Sequence, residues 1–186
     1  MALRHFQVNI LARDNVLLSR FWAEALGHEL GIDVIAEPNP ETVNGRVHLD
    51  LATTSAEHQA ELVARLKELG ATDADVGQGD VPWTVLADPE GNLFCVLEPR
   101  PVYQDTGPIA AVVVNCENPR AMAEKWGGAT GWDVHEVNDD FARLRASEGP
   151  YLEFLRTADV DSLRNHIHVD LGVERAQGDV SWKRLS

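Results

Sequence analysis

The chain is short of cysteine, of basic residues and of long apolar runs, and each shortage narrows what it can be. Its two cysteines, Cys95 and Cys116, stand in separate apolar stretches. That is too few and too scattered for a disulfide framework or a multi-thiolate zinc site, so reduced, buried thiols and a cytoplasmic location are expected. Lys and Arg number 16 against 30 Asp and Glu, for a formal net charge of −14. Nucleic acid and anionic membrane would repel such a surface, and neither is expected as a partner. The acidity serves solubility and also leaves room for a cationic ligand. No apolar stretch approaches the roughly 20 residues of a membrane-spanning helix, and Met1-Ala2-Leu3-Arg4-His5 has no signal-like apolar core. What is present is ordinary for a globular protein: 186 residues, 44% hydrophobic and 25% charged. That is enough for a real core in one large domain or two small ones.

The organising stretch is Arg46-Val47-His48-Leu49-Asp50-Leu51. Val47, Leu49 and Leu51 point one way and Arg46, His48 and Asp50 the other, which is a strand with an apolar and a polar face. The run returns as Asn165-His166-Ile167-His168-Val169-Asp170-Leu171. Taken in order, residues 4–11 alternate as a strand, with His5, Gln7 and Asn9 on its polar face. Asp14 or Asn15 caps a helix to Leu26, and Gly27 stops it. Residues 31–36 and 46–52 read as strands. Thr54 with Glu57 reads as a capping box opening a helix to Leu69. Strands at 81–87 and 93–97 flank Asp88-Pro89-Glu90-Gly91-Asn92, which has turn chemistry. Pro99 and Pro101 open a linker to Pro108. A strand at 109–116, a helix opened by Asn118-Pro119, and strands at 133–137, 140–146, 151–156 and 166–172 follow.

The halves echo one another. Asp14, Trp22 and Gly27 match Asn118, Trp126 and Gly131 at an offset of 104, whereas His48 matches His168 at 120. The second copy therefore holds 16 more residues between its helix and its histidine strand. Gln78–Trp83 matches Gln177–Trp182 at 99, so 21 residues are missing there from the second copy. Each copy is a pair of modules with a piece removed.

A strand-helix-strand-strand-strand module in tandem, with His48-Leu49-Asp50-Leu51 opening one module and Asp88-Pro89-Glu90-Gly91-Asn92 before its last strand, resembles the vicinal oxygen chelate superfamily. It is similar to the glyoxalase-like domains related to glyoxalase I, the bleomycin-resistance proteins and the extradiol dioxygenases. Leu18–Gly27 resembles their first helix, and Thr130-Gly131-Trp132 the end of its counterpart in the second copy. The resemblance implies an α+β fold of tandem βαβββ modules, forming curved mixed sheets with helices on the outer face, some modules being incomplete. A first unit would span 1–100, with a complete module at 46–98. A linker at 101–108 would lead to a second unit at 109–186, complete over 109–157 and then truncated.

In such a fold the cup of the sheet holds a divalent metal or a small molecule. The resemblance places metal ligands on the opening and closing strands of paired modules, which makes Gln7 and His48 candidates for a metal and Cys95 a closing position where the metal enzymes carry glutamate. Cys95 and Glu98 have opposite strand parity, so a regular strand turns only one of them into the cup. The apolar face Leu93, Cys95, Leu97 argues for Glu98, and the alignment for Cys95. Ala111, at the second copy's opening position, cannot bind metal, while Glu153 and His168 match. The ligand set is thus incomplete. Arg46, His48 and Asp50 read equally as a hydrogen-bonded trio, Asp88–Asn92 as a structural turn, and Trp83 and Phe94 as core or pocket wall.

Two functions follow. One is capture of a small organic molecule, of the sequestering or resistance type, on Gln7, Asn9, His48, Asp50, Trp83 and Cys95. The other is a divalent-metal-dependent lyase, isomerase or dioxygenase with Glu98 or Glu153 as proton-transfer base. Truncated modules leave strand edges open, so a homodimer is expected to cover them.

Overall fold

The structure is a computed structural model that describes residues 6–27, 31–42, 45–160, 163, 165–174 and 180–185. His5 and Gln177 lie outside that set. Helix starts follow from short polar caps. In α1 (Asn15–Leu26) the Asp14 carboxylate accepts from the Leu17 amide at 2.9 Å. In α3 (Pro119–Thr130) Asn118 accepts from Ala121 at 3.1 Å, with proline at the first position, and Gly131 closes the helix at φ 71°. The cap of α2 (Ala56–Glu68) sits one residue later than the sequence suggests. Ser55, not Thr54, accepts from the His58 amide, at 3.0 Å. Thr54 is diverted because its amide and hydroxyl both meet His58 Nδ1 at 3.1 Å. Ser55→Ala should therefore cost about 1 kcal/mol and Thr54→Ala only a few tenths, measured by urea unfolding. The reverse order would restore the Thr54 cap.

The strands are β1 (Phe6–Ala12), β2 (Ile32–Ala36), β3 (Val47–Leu51), β4 (Thr72–Asp73), β5 (Thr84–Ala87), β6 (Leu93–Val96), β7 (Ile109–Cys116), β8 (Asp133–Val137), β9 (Phe141–Arg145), β10 (Tyr151–Arg156), β11 (Ile167–Glu174) and β12 (Val180–Arg184). The fold is α+β with mixed sheets and helices packed on them, as the resemblance implies. An eight-stranded sheet runs β4-β5-β6-β3-β7-β10-β9-β8, and a four-stranded sheet runs β12-β11-β1-β2. The larger sheet joins two runs of βαβββ order at the antiparallel β3–β7 pair. The smaller joins β1 to β11, also antiparallel, and each brings one further strand. Two strands were not read from the sequence. The two-residue β4 is too short to show a period, and β12 falls at the echo of the strand read from 81, which was not carried across to 180–184.

One core fills the space on the helix side of both sheets. Trp22 of α1 meets Phe94 of β6 edge-on at 5.1 Å, and Leu66 of α2 and Trp126 of α3 enter the same cluster. Trp22 and Trp126 are thus packing residues. A smaller cluster lies apart from that core: Leu97, Ala110, Ala111, Val113 and Tyr151 pack with Tyr103. Tyr103 comes from a single 3-10 turn, Pro101–Tyr103, in what reads as linker.

The sheets are stitched together by buried polar groups. Asp88 accepts from the amides of Glu90 and Asn92, from Asn92 Nδ2 and from Trp22 Nε1, all at 2.9–3.2 Å. Asn92 Oδ1 in turn accepts from the His166 amide at 2.7 Å. Fully buried Asn165 takes the Leu93 amide on Oδ1 and donates to the carbonyls of Val47 and Leu93. Gly45 forms an isolated bridge with Asn165, and a Cβ there would collide with the Asn165 carbonyl oxygen. The 88–92 stretch is therefore turn chemistry, extended into a seam.

Candidate functional site

Alternation along β3 sends Val47, Leu49 and Leu51 into the core and leaves His48 and Asp50 on the other face. Asp50 stands beside Cys95 across the parallel β3–β6 pair, and beside Ala111 across β3–β7. Cys95 shares that face because Phe94 and Val96, both fully buried, are the residues that fill the core. Bulk settles the parity question for Cys95. Burial, together with the Asp50 carboxylate beside it, pushes the Cys95 thiol far up. His48 Nε2 lies 3.4 Å from Asp50 Oδ1. His48 Nδ1 and Asp50 Oδ1 are buried without a hydrogen-bond partner.

Glu98 lies beyond the end of β6 and pairs with Arg100 at 2.6 Å. Arg100 in turn stacks over Trp83, whose Nε1 donates to Gln78 at 2.9 Å. Trp83 packs against the smaller cluster, whereas Phe94 is core. Glu153, on β10, is 4% exposed and accepts from Tyr103 Oη and from Arg143 Nε, both at 2.8 Å. Arg143 Nη2 also donates to Tyr103 Oη at 3.2 Å, and the guanidinium lies over the rings of Tyr103, Phe141 and Tyr151. Burial pushes Glu153 up, against the pull of Arg143 and of the Tyr103 hydroxyl. Tyr103 itself is pushed well up by burial and by Glu153. No pattern in the sequence pointed to Tyr103, which sits between prolines and other loop residues. Arg143 was legible in principle, because Phe141-Ala142-Arg143-Leu144-Arg145 alternates as β3 does.

Gln7 and Asn9 are on β1, in the other sheet. Gln7 Nε2 donates to Asp33 at 2.7 Å and Asn9 Nδ2 to Asp170 at 3.1 Å. His168, also there, faces Arg184 Nη2 at 2.9 Å, and burial and Arg184 lower its pKa. Gln7 and His48, paired as metal candidates in the sequence, are thus on separate sheets, because β1 pairs with β11 and β3 with β7.

A hollow adjoins each of the echoing histidines. His168 borders a cavity of about 620 Å³ at the meeting of the two sheets, lined also by Arg46, Asn115 and Met122. His48 and Cys95 border one of about 420 Å³, whose walls are Val85, Leu93, Leu155 and Leu163, with Gln78, Asn115, Arg156 and Thr157 as further polar groups. No carboxylate is among the described residues lining this second chamber. The negative net charge of the chain is therefore not concentrated in it.

A metal bound from both paired modules, as the resemblance implies, does not fit these residues. Ala111 offers no donor, and both Glu153 and Glu98 are taken up by arginines. A different trio is gathered on one module: donor atoms of His48, Asp50 and Cys95 all lie within 4.8 Å of one another.

Residues 7–97 and 111–184 match the family described as glyoxalase-like domain. The chain belongs to that family. Its fold is that of the vicinal oxygen chelate superfamily, and solved structures agree. Glyoxalase I from Zea mays superposes at a TM-score of 0.56 with 14% identity, over 80% of this chain and 66% of that one. A variant of the same maize enzyme reaches 0.58 at 14% identity, over 94% and 72%. A Bacillus subtilis protein described as a dioxygenase reaches 0.51 at 11%, over 80% and 62%. At these identities the likeness is one of fold. No curated protein matches the sequence significantly. Among the described residues no helix is long and apolar enough to cross a membrane.

Proposed function

We propose that this glyoxalase-like protein captures a small organic molecule in the chamber beside His48, as a sequestering binder. The observation that carries the reading is the division of labour on one sheet face. The chamber is apolar-walled with a few polar groups and a volume in the usual range for ligand sites. The carboxylates that catalysis would use as bases, Glu98 and Glu153, are held by Arg100 and Arg143. The lining favours a mostly apolar guest with hydrogen-bonding groups for His48, Gln78 and Asn115, and its one charged side chain, Arg156, argues against the cation that net charge suggests. Gln7, Asn9, Asp50 and Trp83 stand outside the chamber lining. The second reading, a metal-dependent lyase, isomerase or dioxygenase, draws on the fold of the solved neighbours and on the His48-Asp50-Cys95 trio.

A thermal-shift screen of neutral aromatic and heteroaromatic compounds, followed by calorimetry in EDTA, tests the proposal. Micromolar binding is expected, abolished by Leu155→Trp, which fills the chamber from a half-exposed position. Binding that appears only with an added divalent ion overturns it. Reduced Cys95 and Cys116 suit a cytoplasmic location. The homodimer is proposed at the edge strands β2 and β12, where Ile35 and Trp182 are exposed. Light scattering should then give twice the chain mass.

A further inference from the structure

We propose that His48, Asp50 and Cys95 form a site for a soft divalent cation of the zinc type, built by one module alone and open on one side to the chamber. The trio supplies one imidazole, one carboxylate and one thiol, with donor atoms within 4.8 Å of one another. Zinc bonds of about 2.0–2.3 Å at tetrahedral angles place ligand atoms about 3.5 Å apart, so the trio needs only a small closure around an ion. The 3.4 Å between His48 Nε2 and Asp50 Oδ1 already meets that spacing.

The backbone fixes the three in place. His48 and Asp50 are two apart on β3, hence on one face, and Cys95 is the direct neighbour of Asp50 on β6. One of the trio's ligand atoms, Asp50 Oδ1, is buried and lacks a hydrogen-bond partner. Buried acceptors without partners are rare and call for an explanation, and a cation supplies one. A thiolate among the ligands selects zinc, or cobalt in its place, over magnesium and calcium. On binding, the sulfhydryl proton leaves Cys95 for solvent and the sulfur's freed electron pair goes to the metal. Three protein ligands leave a fourth position, and His48 and Cys95 both border the 420 Å³ chamber, so that position faces it. The site differs from the paired-module arrangement, whose partners here are Ala111 and the arginine-bound Glu153. It does not depend on any guest occupying the chamber.

Cobalt(II) titration of the EDTA-stripped, desalted full chain is the test. One equivalent should produce a thiolate-to-cobalt charge-transfer band, and zinc should erase it. Cys95→Ser should lose the band, His48→Ala and Asp50→Asn should weaken binding at least tenfold, and Cys116→Ser should keep it. Should Cys95→Ser fail to fold, the band in wild type and in Cys116→Ser together assigns the sulfur. Absence of the band in wild type, or its loss in Cys116→Ser with survival in Cys95→Ser, overturns the proposal. Compound binding in EDTA is read separately, so this site and the capture reading fail independently.

Discussion

Asp88→Ala should lower unfolding stability by about 3–5 kcal/mol, the range for breaking a buried charged network. The side chain is 3% exposed and accepts from four different donor groups. Removing it leaves Trp22 Nε1 and both nitrogens of Asn92 without their acceptor inside the core. Each unsatisfied buried group costs about 1–3 kcal/mol. Asn92 also loses the contact that orients its Oδ1 towards the His166 amide, so the damage extends to the junction of the two sheets. Burial pushes the Asp88 pKa up while its donors oppose this, and those N–H groups all favour the ionised form. Asp88→Asn should therefore recover only part of the loss, because its amide nitrogen turns a donor towards donors. Urea denaturation decides the matter, and a loss below about 1 kcal/mol for the alanine variant would refute the account of the seam.

Arg143→Ala is expected to cost a similar 3–5 kcal/mol at pH 8, since it strands the Glu153 carboxylate in a buried place with Tyr103 as its remaining partner. The loss has a direction in pH. Without the guanidinium, Glu153 has a folded-state pKa further above its unfolded value. The folded variant then holds the proton more tightly, and the stability that proton brings is full in acid and lost as pH rises through the raised pKa. Chemical denaturation across pH 8 to 5 should show the gap between wild type and Arg143→Ala shrinking as pH falls. The double variant Arg143→Met, Glu153→Leu should stay within about 1–2 kcal/mol of wild type, because well-packed apolar residues replace such pairs at little cost. A gap that is flat in pH would mean that Arg143 acts by packing on the three aromatic rings and not by charge.

The period-two alternation of β3 and the caps Asp14 and Asn118 were legible, since each depends on neighbours in sequence. So was the family, carried by His48–Leu51 and Asp88–Asn92. Which modules pair was not legible, because strand pairing over more than a hundred residues leaves no local trace. That is why Gln7 and His48 looked like partners and lie on different sheets. The alignment turned Cys95 to the right face, whereas a reading of the residues alone had to weigh Phe94 and Val96, which compete for the core. Arg143 and Tyr103 escaped notice because they gain their meaning from Glu153, 10 and 50 residues away.

The pairing of β1 with β11 and of β3 with β7 has a consequence for how the chain is cut. Residues before the 3-10 turn supply strands to both sheets, and so do residues after it, leaving the halves intertwined. A protease cleaving near Gln104 would release no free-standing lobe. The fragments should stay associated until denaturant parts them, and neither should fold when expressed without the other.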